Sequence, residues 1–184
     1  MLSQHTNDRN SDRAFRQLSE VYKVTPSALA SASEDNVRDA IQVAGLQGQK
    51  ARAIVALANA VLERFQGDLG RILTLETEEA REALMRLPGV GPKTADVVLL
   101  FSRGAAVFPI DTHIARVSKR LGFVPAKSSY EEKRRILQAL FRPEEYGQAH
   151  LLLIQLGRTY CTSVNPRHEI CPVRDHCPKL MDCL

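Results

Sequence analysis

Tryptophan is missing from this sequence, and aromatic side chains make up only 5% of its 184 residues. Runs that alternate aromatic or β-branched residues with polar ones, the usual pattern of a strand, are scarce as well. Apolar residues instead recur three and four positions apart, as in Ala14, Leu18 and Val21, which is the spacing of one buried helical face. The composition therefore predicts an all-α fold.

Long apolar runs are lacking too. Stretches such as Val97–Phe101 fall far short of the roughly 20 residues that cross a bilayer. The first residues, MLSQHTNDRNSDR, are polar and do not contain the apolar core of a signal peptide. We therefore expect a cytoplasmic protein with no membrane partner, in a compartment where disulfides rarely persist.

The chain has no large excess of either charge: its net charge is +4 and its pI is about 9.0. A mild basic excess is compatible with nucleic-acid binding, but on charge alone a solvated helix face is the favoured explanation. Charge alone therefore does not identify a partner.

Cysteine does not occur before position 161. The four cysteines all lie in the C-terminal tail, at Cys161, Cys171, Cys177 and Cys183. Clustered thiols in a reducing compartment predict metal ligands rather than disulfides. An iron–sulfur cluster and a zinc ion are the alternatives at this point, and unrelated buried cysteines are a less favoured third.

The segment Leu87–Ala95, LPGVGPKTA, lies between two apolar helices and carries the most specific pattern of the chain. Gly89 and Gly91 allow a positive φ and a close approach of the backbone to a ligand, and Pro92 suits the first position of a helix. Free backbone N–H groups at that helix start would form an anion site. We predict a helix-hairpin-helix that binds DNA phosphate without reading the base sequence, against the alternative of a plain helix–helix turn.

Lys93 follows directly, at the start of the second helix of this hairpin. The partial positive charge of a helix N-terminus favours the uncharged, nucleophilic amine. Such an amine could attack a sugar C1′, expel a damaged base and leave a Schiff base, from which β-elimination cleaves the strand. The alternative is a surface lysine that pairs with a phosphate.

Asp111 stands in a second motif, FPIDTHIARV, at residues 108–117. Its position suits the N-cap of a following helix. A carboxylate that faces a cleft would instead stabilise positive charge on the sugar and help to keep the Lys93 amine unprotonated. Both roles can coexist, because one oxygen can cap the helix while the other faces the substrate. His113 and Arg116 would contact phosphate or stabilise the cap.

Taken together, LPGVGPKTADVVL (87–99) and FPIDTHIARVSKRLG (108–122) resemble the endonuclease III branch of the helix-hairpin-helix DNA glycosylases. The spacing from Lys93 to Asp111 is also similar to that of the family. The opening LSQHTND (2–8) resembles the family's segment that fills the gap left by an extruded base.

The resemblance implies a bifunctional DNA glycosylase and abasic-site lyase of base excision repair, with Lys93 as nucleophile and Asp111 as its carboxylate. Its substrates would be oxidised pyrimidines, flipped out of duplex DNA. A monofunctional thymine or uracil mismatch glycosylase and a non-catalytic DNA-binding homologue are the alternatives.

The implied partner is double-stranded DNA that contains a damaged base or an abasic site, bound by a monomer in the nucleoid. The residues expected to contact this DNA are Gln4, His5, Leu87, Gly89, Val90, Gly91, Thr94, His113, Arg116 and Arg167.

The family's architecture implies a helical barrel domain with the hairpin at residues 1–105, followed by a helical domain with the catalytic aspartate and an iron–sulfur cluster at residues 106–184. The catalytic cleft would lie between the two domains. Compared with the family, the first N-terminal helices are expected to be missing from this chain.

The resemblance also implies a 4Fe–4S cluster, although the spacing of its ligands is unusual. The family reads C-x6-C-x2-C-x5-C, whereas the four cysteines here give C-x9-C-x5-C-x5-C. If Cys161, Cys171 and Cys177 are aligned with the family's first, third and fourth ligands, His168 falls at the position of the second. We expect Cys161, Cys171, Cys177 and Cys183 to be the ligands, because thiolate binds iron more strongly than imidazole. A cluster with His168 as a ligand and Cys183 free is the second alternative, and zinc is the third.

Overall fold

The computed structural model describes residues 1–4 and 6–178. The regular structure of this part of the chain is entirely helical, which confirms the predicted all-α fold. None of the helices described is long and apolar enough to cross a membrane. The chain divides into two compact units, Met1–Gly91 and Pro92–Leu184. The domain boundary expected from the sequence, after residue 105, lies further along the chain and stays a prediction.

The first unit is built on one long helix against which shorter helices pack. Its helices are α1 (Asp8–Val21), α2 (Pro26–Ala30), α3 (Glu34–Ala40), α4 (Gln47–Phe65), α5 (Gly70–Leu73) and α6 (Thr77–Met85), with a 3-10 turn at Gln42–Ala44. The α2 and α3 helices pack on α4. Side chains such as Ala14, Val37 and Ile41 are fully buried and form the core of this unit.

Capping residues set several of these boundaries. The side chain of Thr25 accepts a hydrogen bond from Ala28 N, and Pro26 takes the first helical position of α2. Gly45 ends the 3-10 turn Gln42–Ala44 with a φ of +67°. The α6 helix lacks such a cap, because its N-cap Glu76 makes no side-chain hydrogen bond to the helix.

The second unit carries both predicted catalytic residues. Its helices are α7 (Pro92–Val98), which continues into a π-helical turn (Leu99–Arg103), α8 (Thr112–Arg120), α9 (Tyr130–Leu140) and α10 (Tyr146–Thr159), with 3-10 turns at Pro143–Glu145, His168–Ile170 and Arg174–His176. Phe108 is fully buried at its centre, with ring centroids 5.6 Å from Phe141 and 5.5 Å from Tyr146. This core holds the segment before Asp111 in place.

The α8 and α10 helices approach each other closely at Gly157. A Cβ atom at this glycine would lie 2.9 Å from His113 Cβ and 3.2 Å from Val117 Cγ2. Only glycine fits there without a shift of α8, because real Cβ contacts are almost never shorter than 3.0 Å. The contact fixes the helix that starts at Asp111 against the helix that leads into the cysteine-bearing tail.

Candidate functional site

The predicted hairpin connects α6 to α7 through a tight turn. Val90 N donates a hydrogen bond of 3.2 Å to Leu87 O, and Leu87 is buried. Gly89 has a φ of +73°, and a Cβ at this residue would collide with the side chain of Met1. Gly91 differs from the expectation: it does not use a positive φ, and a Cβ there would meet open space. The glycine requirement of the turn therefore rests on Gly89.

Gln4 lies beside this turn. Its Nε2 donates a hydrogen bond of 3.3 Å to Gly89 O, and both residues are exposed. The N-terminal segment and the hairpin backbone thus share one face of the first unit, a contact that the sequence does not reveal. His5, the other residue predicted in this segment, lies outside the described residues.

Lys93 is the second residue of α7, and its side chain is exposed. Within residues 1–4 and 6–178, no carboxylate or carbonyl group pairs with its amine. Thr94, beside it, is half-buried. The position leaves the amine open to an incoming substrate.

Asp111 is the N-cap of α8. Its Oδ1 accepts a hydrogen bond of 2.7 Å from Ile114 N, and the residue as a whole is only 9% exposed. Its other oxygen, Oδ2, accepts no hydrogen bond from the described residues and is not among the polar atoms sealed from solvent. The carboxylate therefore caps the helix with one oxygen and leaves the second available.

A buried histidine relates these two residues. His150 is 4% exposed, and its ring Nδ1 lies 3.1 Å from Pro109 O, which makes Nδ1 the protonated nitrogen. Burial lowers the pKa of His150, the Pro109 carbonyl and the Asp111 charge oppose that shift, and the charge of Lys93 adds to it. The charges of Lys93 and Asp111 therefore both influence the pKa of one imidazole. The sequence offers a weak signal for His150, a single ionisable residue at the head of the apolar run 151–154.

A second buried polar group is connected to the loop that carries Asp111. Asp96 of α7 is fully buried, and its Oδ2 accepts a hydrogen bond of 2.7 Å from the hydroxyl of Tyr130. The same hydroxyl accepts one of 3.3 Å from Ile110 N, next to Asp111. Tyr130 therefore connects the helix of Lys93 to the loop of Asp111. Neither Asp96 nor Tyr130 was predicted, because a polar residue inside the run ADVVLLF gives no sign of its partner.

Arg116, predicted to contact DNA or stabilise the cap, is engaged within the protein. Its Nε donates to Cys161 O at 2.9 Å, and its Nη2 donates to Gly157 O at 2.8 Å and lies 3.1 Å from His113 Nδ1. These bonds connect α8 to the start of the tail. Phosphate contacts by His113, Arg116 and the exposed Arg167 stay predictions.

Three of the four tail cysteines lie in the described part of the chain, and they line one cavity. Cys161, Cys171 and Cys177 are half-buried free thiols, and Arg120 and His168 line the same cavity. Arg120 Nη1 donates to Cys161 Sγ at 3.4 Å, and the Cys177 thiol donates to Arg120 O at 3.8 Å. Cys183 lies outside the described residues.

This donor set fits an iron–sulfur cluster, because soft thiolates are the ligands that such clusters use. Within residues 1–4 and 6–178, no three Cys, His, Asp or Glu side chains lie close enough together to share a single metal ion. The cavity instead presents its sulfur atoms from three separate points of the tail.

Two family profiles match the chain. The first, described as HhH-GPD superfamily base excision DNA repair protein, matches residues 1–143. The second, described as the iron–sulfur binding domain of endonuclease III, matches residues 161–177. Its range contains Cys161, His168, Cys171 and Cys177, and it ends before Cys183.

Individual relatives agree with the profiles over almost the whole chain. Endonuclease III of Sulfolobus acidocaldarius is 37% identical over 99% of this chain and 80% of its own length. Endonuclease III of Thermotoga maritima is 34% identical over 96% of this chain and 78% of its own length. The solved structure of a trapped endonuclease III–DNA covalent intermediate superposes with a TM-score of 0.85 at 32% identity, over 97% of this chain and 79% of that one.

Proposed function

Since this chain belongs to the endonuclease III family of base excision DNA repair enzymes, we propose that it removes oxidised pyrimidines from duplex DNA with Lys93 as nucleophile and Asp111 as the assisting carboxylate. The family makes it a DNA glycosylase with abasic-site lyase activity that carries a 4Fe–4S cluster. We propose in addition the lesion that it removes, the roles of Lys93 and Asp111, and the residues that contact DNA.

One observation carries the assignment of Lys93 and Asp111. Within the described residues, Lys93 presents an exposed amine without a hydrogen-bond partner and Asp111 a carboxylate with one unbonded oxygen, and the charges of both influence the pKa of the buried His150. A nucleophile has to be accessible, and its carboxylate must have a lone pair that the fold has not used. Both residues meet these requirements.

The lysine chemistry accounts for base removal and strand cleavage together. The amine lone pair of Lys93 forms a bond to C1′, and the electrons of the glycosidic bond leave with the damaged base, which takes up a proton. Opening of the sugar ring and loss of a proton from nitrogen give a Schiff base. Loss of a C2′ proton then expels the 3′ phosphate with its electron pair, and hydrolysis of the imine regenerates Lys93.

Asp111 has two parts in this sequence. In its ionised form, Oδ2 stabilises the positive charge that develops on the sugar as the base departs. The same oxygen accepts a proton from the attacking amine. Meanwhile the bond from Ile114 N to Oδ1 keeps the carboxylate in one orientation, so that no reorientation is needed during the reaction.

The hairpin backbone would hold the DNA. Its turn is exposed at Gly89 and Gly91, where backbone groups can approach a phosphate without a side chain in the way. Gln4 lies against Gly89, so this segment of the first unit would contact the duplex from the same face as the hairpin. The solved relative is a trapped covalent intermediate of endonuclease III with DNA, which supports a DNA partner for this chain.

The cluster has a structural part in the proposal. The tail after α10 contains two short 3-10 turns and no buried apolar side chain among its described residues, so it has little core of its own. A cluster bound by its cysteines would fix this tail against Arg120 of α8. The bound group supplies ligand bonds there, and the reaction at Lys93 needs none of them.

The test is a panel of duplexes, each with one lesion: an oxidised pyrimidine, an abasic site, a thymine–guanine or uracil–guanine mismatch, or no damage. The whole chain is compared with Lys93→Gln and with the control Lys127→Gln, which removes the same charge from an exposed loop residue. We expect Lys93→Gln to lose strand cleavage by about 10³-fold or more while DNA binding changes by no more than about tenfold. The control should keep both.

Each other result points to a different function. Base release from a mismatch without strand cleavage would assign a monofunctional glycosylase. Salt-sensitive DNA binding without turnover on any duplex would assign a non-catalytic homologue. Cleavage that survives in Lys93→Gln would show that another residue is the nucleophile.

A further inference from the structure

One ring nitrogen in the tail is buried without a hydrogen bond. It is Nε2 of His168, and within the described part of the chain only Gln138 Oε1 shares that condition. A buried polar atom without a partner is destabilising, so folded proteins rarely leave one without a hydrogen bond. Residues 1–4 and 6–178 supply no hydrogen-bond partner for this nitrogen, which leaves it available as a ligand.

His168 lines the same cavity as the three described cysteine thiols. It opens the 3-10 turn His168–Ile170, and Cys171 N donates to its backbone carbonyl at 3.2 Å. This short turn fixes the backbone of His168 relative to that of Cys171, and both residues line the cavity. An imidazole with a free ring nitrogen is a good ligand for iron as well as for zinc.

The spacing along the chain supports the same set of ligands. Cys161, His168, Cys171 and Cys177 follow one another with six, two and five residues between them, which is the ligand spacing of the resembled family with a histidine at its second position. The matched iron–sulfur profile covers residues 161–177, so it contains these four residues and stops short of Cys183.

We propose that the 4Fe–4S cluster of this chain is held by three cysteine thiolates and one histidine, with Nε2 of His168 rather than Cys183 as the fourth ligand. The proposal rests on the presence of the cluster and not on the chemistry of Lys93, and its test reads the cluster itself. Histidine ligation of an iron in place of cysteine is known from Rieske centres, where it raises the reduction potential. A less negative ligand set favours the reduced cluster here for the same reason.

Four variants of the whole chain separate the two candidate ligands. His168→Ala removes the proposed ligand, His168→Cys restores a thiolate at the family's position, and Cys183→Ser removes the competing thiol. His176→Ala is the matched control, since it removes an exposed imidazole from the same tail. The readouts are iron and acid-labile sulfide per chain, and the nitrogen hyperfine coupling measured by pulsed electron paramagnetic resonance on the reduced cluster.

We expect the unmodified chain, Cys183→Ser and His176→Ala to keep their iron and to show a strongly coupled nitrogen. Labelling of histidine with ¹⁵N should change that coupling. His168→Cys should keep the iron, lose the nitrogen coupling and shift its reduction potential to a more negative value. His168→Ala should lose most of its iron.

Two results would overturn the proposal. The first is an iron-loaded, unmodified chain with no strongly coupled nitrogen. The second is loss of iron in Cys183→Ser together with retention in His168→Ala. Either result leaves the glycosylase and lyase assignment unaffected, because strand cleavage by Lys93 is measured separately.

Discussion

The hydroxyl of Tyr130 donates a hydrogen bond of 2.7 Å to Oδ2 of Asp96, a carboxylate with no exposed surface. Through the bond from Ile110 N, the same oxygen of Tyr130 also holds the backbone next to Asp111. The helix that carries Lys93 and the loop that carries Asp111 are therefore joined through one phenol. We expect this connection to matter for stability and for the orientation of Asp111.

Replacement of Tyr130 by phenylalanine removes both hydrogen bonds and keeps the ring. Because a buried carboxylate loses a donor, the free energy of unfolding should fall by about 1–3 kcal/mol. Chemical denaturation measures this change. Tyr22→Phe is the control, since the hydroxyl of Tyr22 makes no hydrogen bond with the described residues. An equal fall in the free energy of unfolding in both variants would contradict a specific role for the Tyr130 hydroxyl.

The two roles of Asp111 can be separated by two substitutions. Asp111→Asn keeps an oxygen that can accept the bond from Ile114 N but removes the charge, so stability should be nearly unchanged while base release falls by about 10²–10⁴-fold. Asp111→Ala loses the cap as well, and its free energy of unfolding should fall by about 1 kcal/mol. Base release in single-turnover assays and denaturation curves measure the two effects. An active Asp111→Asn enzyme would reduce Asp111 to a helix cap.

His150 makes the stability of the chain depend on pH. Burial lowers its pKa in the folded state, so between that pKa and the ordinary value of about 6.5 the unfolded chain binds more protons than the folded one. The contribution of His150 to the free energy of unfolding is therefore fully present above about pH 6.5. It falls as the pH drops through this window, by up to about 1.4 kcal/mol for each pH unit.

The measurement is the free energy of unfolding from about pH 7.5 to about pH 5.5 in the native chain and in His150→Phe. The variant loses the bond to Pro109 O and should be less stable throughout, but its dependence on pH should be weaker. His176→Gln, which changes an exposed imidazole, should keep the native slope. If the free energy of unfolding of His150→Phe depends on pH as strongly as that of the native chain, groups other than His150 cause the pH effect.

Much of the fold could be predicted from local patterns. Amphipathic spacing and capping residues act within one turn of helix, so signals such as Thr25-Pro26 and Ser129 before α9 mark their helices correctly. The short helix α5 was missed, because its four residues have no side-chain cap at the N-terminus and no periodic run. Gly91 carried the same sequence signal as Gly89, yet only Gly89 needs the left-handed region.

The site was predictable as far as its motifs extend. Lys93 and Asp111 stand in specific segments of sequence, and the cap at Asp111 follows from its position before an amphipathic helix. Contacts between residues distant in the chain could not be predicted, such as Tyr130 with Asp96 or Arg116 with Cys161. Such pairs depend on which helix faces meet in three dimensions, and no periodicity encodes that.

Borohydride reduction during the reaction tests whether Lys93 forms the Schiff base, because it converts a Schiff base into a permanent bond between protein and DNA. With a duplex containing an oxidised pyrimidine, the unmodified chain should form a covalent adduct, and mass spectrometry of its peptides should locate the DNA remnant on Lys93. Lys93→Gln should form no adduct. An adduct located on a different residue, or one that forms equally well in Lys93→Gln, would show that Lys93 is not the nucleophile.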